Sequence, residues 1–299
     1  MLHETPVIFH SQGVPLSGRF IHGSPSLHDR GPAVIVVGSW LTVKEQMPAT
    51  YGRKLAAAGY TAFTFDFSGF GESDGEPRQA EIPARKIADL SSAVDVLRRL
   101  SFVDPDRIGC VAICASAQYV LAALAEGVPI ASFASIAGWY HDRRSVAPFY
   151  GGDAGVEQRL ARAGEALAKY ARTRELVIAP AYEDGNERAG MHFPLDYYAR
   201  PDRGAIPAWK NQMAEMTWFY WFAFDGLAAA DRVATPSLFV HADGCVFPDH
   251  VRQVHARLKG PKELVWSAGE QIDFYDQPRQ VDAAMEAITR WFSQTLLAR

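Results

Sequence analysis

The sequence predicts an α/β fold, with a mostly parallel central sheet flanked by helices and a helical lid inserted into it. Three observations predict it. Short β-branched apolar runs alternate with amphipathic stretches through the first half of the chain, the pattern of parallel strands buried on both faces and covered by helices. The rhythm stops near residue 140, and 141–234 is rich in aromatic residues and helix formers instead. It resumes at Ser237, so the expected organisation is a core over 1–140, a lid over 141–234 and the rest of the core over 235–299.

Each element follows from local pattern. Residues 7–10 and 16–22, separated by Gly13-Val14-Pro15, read as an antiparallel hairpin. Ala33-Val34-Ile35-Val36-Val37 reads as a buried strand, 44–58 as a helix ended by Gly59, and 61–67 as the next strand. The turn that follows, Ser68-Gly69-Phe70-Gly71, has Gly-x-Gly but no third glycine three residues on, and it opens onto Pro77 and Pro83. It therefore does not read as a dinucleotide loop. A helix over 84–100 leads through Asp104-Pro105 to a core strand over 107–113, which turns at once into another helix. A strand over 130–137 precedes the inserted segment, and strands at 237–241 and 263–266 with helices at 249–258 and 280–297 complete the core.

The composition narrows the function. With 30 basic against 34 acidic residues and a net charge of −4, and with no Lys/Arg run that could track phosphates, nucleic acid is not an expected partner. Cys110, Cys114 and Cys245 are too few and scattered for a disulfide framework, and no ligand spacing suggests a metal. A reducing cytoplasm is the expected compartment. The first residues lack a basic stretch followed by an apolar one, and no apolar run approaches the ~20 residues of a membrane helix. The expected partner is a small-molecule substrate, with a homodimer left open and no cofactor indicated.

The chemistry is expected at Gly109-Cys110-Val111-Ala112-Ile113-Cys114-Ala115-Ser116, where strand turns into helix with no loop. A nucleophile at such a corner needs small residues two before and two after it, so that strand and helix can approach. Ala112 and Ser116 meet that need around Cys114, whereas a Ser116 nucleophile would put Gln118 at the crowded position. The helix start would also supply a positive dipole end and N–H groups to stabilise a thiolate. Cys110 and Cys245 read as buried structural cysteines.

At these residues the chain resembles the α/β-hydrolases, and among them the bacterial proteins related to dienelactone hydrolase with cysteine at the nucleophile elbow. The matching segments are Val37-Gly38-Ser39-Trp40 with Lys44-Glu45-Gln46, Asp66-Phe67-Ser68-Gly69-Phe70-Gly71, the Cys114 elbow, Trp139-Tyr140-His141-Asp142, Val240-His241-Ala242-Asp243 and Gln271-Ile272-Asp273-Phe274-Tyr275. The resemblance implies an oxyanion hole from the N–H groups of Ala115 and Trp40. It implies Asp243 as the acid, with Asp249 as a second candidate, and a glutamate, Glu45, held against the cysteine. The histidine of that family should follow the last strand, where this chain carries Gln271. A carboxamide cannot accept a proton near neutral pH.

Three groups are candidates to replace that base: His141 beside the strand over 130–137, Glu45, and His192 in the lid. Arg143 and Arg144 read either as a grip for a substrate carboxylate or as a solvated pair. Trp139, Tyr140, Trp209 and Trp218 are candidate substrate contacts, the alternative being that such rings form the lid's own core. His241 reads as a core residue, and His3, His10, His22, His28, His250 and His255 as surface or strand-edge residues. The expected function is cysteine catalysis on a small ester, lactone or thioester. The alternatives are acyl transfer, lactone-forming cyclisation or elimination without water, and an inactive ligand-binding protein.

Overall fold

The computed structural model describes residues 1–23, 27 and 30–297, so His28 lies outside the described residues. Strands β1 (His3–Ser11) and β2 (Val14–His22) form the antiparallel hairpin. Gln12 and Gly13 close it at φ +49° and +84°, the left-handed pair that matches the twist of two flanking strands. β3 (Gly31–Val37) is followed by α1 (Met47–Ala57) and β4 (Thr61–Phe65). The helix starts at Met47 rather than at 44. Lys44 is buried instead as an ion-pair partner of Asp66, and the Gln46 side chain accepts the Val43 N–H, which holds the preceding residues in a loop.

α2 (Pro83–Leu97) leads to β5 (Val103–Ile113), which runs directly into α3 (Ser116–Ala125), and β6 (Ser132–Ile136) follows. The chain then leaves the sheet for α4 (Arg143–Val146), the long α5 (Gly152–Thr173), β7 (Ile178–Ala179), α6 (Asp196–Ala199), β8 (Met213–Ala214) and α7 (Thr217–Ala223). Turns and irregular backbone that carry Pro180, Gly185, Gly190, Pro194, Pro201 and Gly204 join these pieces. β9 (Ser237–Gly244), α8 (Pro248–Arg257), β10 (Lys262–Glu270), α9 (Asp273–Asp276) and α10 (Pro278–Phe292) return to the core.

The main sheet has eight strands in the order β1-β2-β4-β3-β5-β6-β9-β10, antiparallel only at β1-β2 and β2-β4. α1 packs with α10 and α2 with α3, so helices flank the sheet. Phe63, Phe133 and Phe239 are fully buried in its core, where truncation of any one to alanine costs about 3–5 kcal/mol. Parallel strands place all their carboxyl ends on one edge, and β3, β5 and β6 there present the loops that meet the inserted segment. Among the described residues no helix is long and apolar enough to cross a membrane.

Candidate active site

Cys114 sits between β5 and α3 at φ +56°. That conformation costs a non-glycine residue about 1–3 kcal/mol and persists only where the surroundings enforce it. Here three backbone bonds do so: Cys114 N–H donates to Ile136 O at 3.1 Å, and its carbonyl accepts from Ala117 at 3.0 Å and Trp139 at 2.9 Å. Ala112 and Ser116 beside it are fully buried. Gly138 completes the corner, because a Cβ there would lie 2.3 Å from Ser135 Oγ and 3.2 Å from Ala117 Cβ. Ser116 begins α3 at an ordinary helical position, outside the cavity onto which Cys114 opens.

That cavity holds about 330 Å³. Trp40, Trp139, Phe149, Tyr150, Tyr198 and Trp221 bring large rings to its wall, several of them from the inserted segment. Among the described residues that line it, Glu270 is the one charged side chain and none is a histidine.

Polar groups converge on the cysteine sulfur. The hydroxyls of Ser39 and Tyr275, the Ala115 N–H and the Gln271 side chain all hydrogen-bond to it. Ser39 Oγ and Tyr275 Oη are 3.3 Å apart, and Gln271 Nε2 donates to Tyr275 Oη at 3.3 Å and to Ala137 O at 2.8 Å. Gln271 Oε1 accepts the Val246 N–H at 3.1 Å, which fixes the amide with its NH2 toward the sulfur. Burial pushes the Cys114 thiol up, and these hydrogen bonds only partly oppose it. Desolvation in the aromatic cavity thus opposes the thiolate that the helix start was expected to stabilise. Burial likewise raises Tyr275 well above the ordinary phenol range.

Of the residues singled out from sequence, the structure brings together Cys114, Ala115, Trp40, Trp139 and Gln271. It does not bring the proposed bases to them. His141 is fully buried, and the Trp139 indole N–H donates to its Nδ1 at 2.8 Å. Its remaining nitrogen, Nε2, therefore carries the proton and donates to Trp221 O at 2.9 Å, leaving no free lone pair. Burial pushes His141 down to about 4, so it is neutral and structural. Glu45 turns away to Arg19 at 2.6 Å and Lys44 at 3.0 Å. His192 packs on Tyr150 and Phe193 outside the cavity lining.

Asp243 is exposed and pairs with Arg252 at 3.0 Å, as Asp249 also does, so both carboxylates lie in solvent rather than at the cysteine. Tyr140 lies behind the wall with its hydroxyl on Ser135, and Trp218 is buried between Tyr150 and Phe222. Trp209 donates its indole N–H to Leu41 O at 2.8 Å. These three rings pack the site rather than line it. Arg143 and Arg144 are exposed, away from the cavity. Ser39 and Tyr275 line the cavity without having been singled out, whereas Tyr198 and Trp221 line it from the aromatic stretches of the inserted segment, where ring contacts were expected. Ser39 is next to Trp40 and Tyr275 four residues beyond Gln271, but which way each hydroxyl points depends on the fold. Among the described residues, no three His, Cys, Asp or Glu side chains gather as metal ligands.

A mostly parallel sheet with a strained residue between β5 and α3, opening onto a cavity at the carboxyl edge, defines a class, and the chain belongs to the α/β-hydrolase superfamily. It is similar to polyketide transferase claH of Penicillium crustosum, 32% identical over 308 residues covering 95% of this chain and 94% of that one. The protein is an enzyme of that fold. Two solved structures share the architecture. Hypothetical protein PA2218 from Pseudomonas aeruginosa superposes at TM-score 0.85 with 24% identity over 99% of this chain and 94% of that one. Alpha/beta hydrolase GrgF from Penicillium sp. sh18 does so at 0.83 with 21% identity over 99% of each. No family model matches the chain.

Proposed function

We propose that the protein is an acyl transferase that loads an acyl group from a thioester onto Cys114 and passes it to an acceptor other than water. The observation that carries this is Gln271. It stands beside the cysteine with its carbonyl oxygen committed to Val246, so the groups that meet the sulfur are hydrogen-bond donors, and Glu270, the carboxylate of the described lining, is not among them. The similarity to a polyketide transferase is consistent with this reading.

In the proposed reaction, the thiol sulfur bonds to the acyl carbon while the N–H groups of Trp40 and Ala115 receive the oxyanion. The donor C–S bond then breaks, and the Cys114 proton passes through the Tyr275 and Ser39 hydroxyls to the departing sulfur. A thioester suits a site without an acid, because a departing thiolate of ordinary thiol pKa, about 8.5, leaves more readily than the buried Cys114 sulfur, whereas an alkoxide would lose to Cys114. A hydroxyl or amine of the acceptor next attacks the acyl-cysteine, and its proton returns to the sulfur. The segment 141–234 acts as a lid, supplying the aromatic wall that excludes water.

This differs from the dienelactone-hydrolase type of site in that Glu45 faces away from the cysteine, and among the described residues that line the cavity none is cationic. The test is intact-protein mass spectrometry with a neutral aromatic thioester, with and without an alcohol or amine acceptor. A persistent adduct on wild type, absent from Cys114→Ala and discharged by the acceptor into ester or amide, is expected. Release of free acid at the same rate with or without acceptor would overturn the reading.

A further inference from the structure

We propose that Glu81 is a positioning residue that keeps the two halves of the oxyanion site in register, an inference that rests on the acyl-transfer role of Cys114. Glu81 is fully buried. Its Oε2 accepts the Leu41 N–H at 3.3 Å, and its Oε1 accepts the Tyr119 hydroxyl at 2.8 Å. Leu41 follows Trp40 on the loop after β3, and Tyr119 lies on α3, the helix that opens just past Ala115. One carboxylate thus bridges the two segments that carry the Trp40 and Ala115 N–H groups. Glu81 also donates its own N–H to Thr217 Oγ1 at 3.0 Å, which fastens α7 of the inserted segment to the same point.

The loop it holds is strained. Leu41 has φ +58°, costly for a branched side chain, and the residue is held on both sides, its N–H by Glu81 and its carbonyl by the Trp209 indole. Relaxation of Leu41 to negative φ would swing the Trp40–Leu41 peptide and take Trp40 out of place. Lys86 supplies the counter-charge, with Nζ 2.7 Å from Glu81 Oε1 and lying over the Phe67 and Phe70 rings at 4.6 and 4.8 Å. A buried ion pair contributes little net stability over an apolar replacement, so stability alone does not account for this group. Its geometry does, because a carboxylate can accept from Leu41 and Tyr119 at once.

Two variants test the inference. Tyr119→Phe removes one hydroxyl without changing the packing, and Glu81→Gln combined with Lys86→Met removes the charges together, leaving neither unpaired. Three readouts are compared with wild type: acylation of Cys114 by the thioester, modification of Cys114 by a small disulfide, which forms no oxyanion, and backbone hydrogen exchange over 38–42. The expected result is acylation slowed about tenfold or more, disulfide modification unchanged and exchange over 38–42 faster. Unchanged acylation, or an equal fall in both thiol reactions, would overturn the positioning role. If wild type forms no acyl adduct, the acyl-transfer reading fails. Exchange then decides the bridge by itself, with faster exchange supporting it and unchanged exchange overturning it.

Discussion

Gln271 lies beside Cys114 with its amide held from both ends, since its carbonyl oxygen accepts the Val246 N–H at 3.1 Å and its nitrogen donates to Ala137 O at 2.8 Å and to Tyr275 Oη at 3.3 Å. The group beside the sulfur is therefore a donor. It can stabilise negative charge on the thiol and cannot take a proton from it.

Replacing that donor with an imidazole should restore hydrolysis. In Gln271→His, the lifetime of an acyl-Cys114 adduct at pH 8 is expected to shorten on the order of 100-fold, the contribution of a positioned general base. Time-resolved intact mass spectrometry measures it, and an adduct as durable as in wild type would show that something other than the base limits deacylation.

The cysteine itself should react as a thiol. Burial raises its pKa above the ordinary value, so the thiolate fraction is small at neutral pH and grows on the alkaline side. Alkylation by iodoacetamide is expected to rise with pH through a midpoint above that of a free cysteine, about 8.5. A midpoint below 7 would mean that the helix end dominates after all.

Tyr275 opposes that rise, because its hydroxyl donates to the sulfur. Tyr275→Phe should move the alkylation midpoint further up and slow acylation about tenfold, while the melting temperature changes by only a few degrees. A large loss of melting temperature with an unmoved midpoint would assign Tyr275 to packing alone.

Acid should loosen the fold by way of its buried histidines. Burial pushes His141 and His241 down to about 4, against about 6.5 in an unfolded chain. Between those values the unfolded state binds protons that the folded state refuses, so the stability they contribute is complete above pH 6.5 and lost as pH falls toward 4. For His141 this amounts to about 3 kcal/mol. The denaturant midpoint at pH 7.5 should exceed that at pH 4.5, and the His141 ring signal in NMR should not titrate between pH 7.5 and 5. A level midpoint over that interval would refute the account.

The strand-helix alternation and the elbow were legible in the sequence because they depend on local pattern. A run such as 33–37 can bury both faces only in a covered sheet, and small residues around Cys114 permit only a tight corner. The place of Gln271 was legible too, since the loop after the last strand contains no histidine. Where side chains point was not. His141, Asp243 and Glu45 each lie near the sheet edge in sequence, yet Trp139 and Trp221 occupy both nitrogens of the first, Arg252 draws the second into solvent, and Arg19 and Lys44 turn the third away.

Residues distant in sequence made those decisions. The donors at Cys114 come from 39, 115, 271 and 275, and Glu81 joins 41 to 119. Strand order and close packing bring such groups within hydrogen-bond reach, and a periodicity that repeats every two or four residues carries no record of it. The sequence alone determined the layers and the cysteine at the corner; the tertiary structure decided which groups surround it, and so whether the sulfur meets a base or a donor.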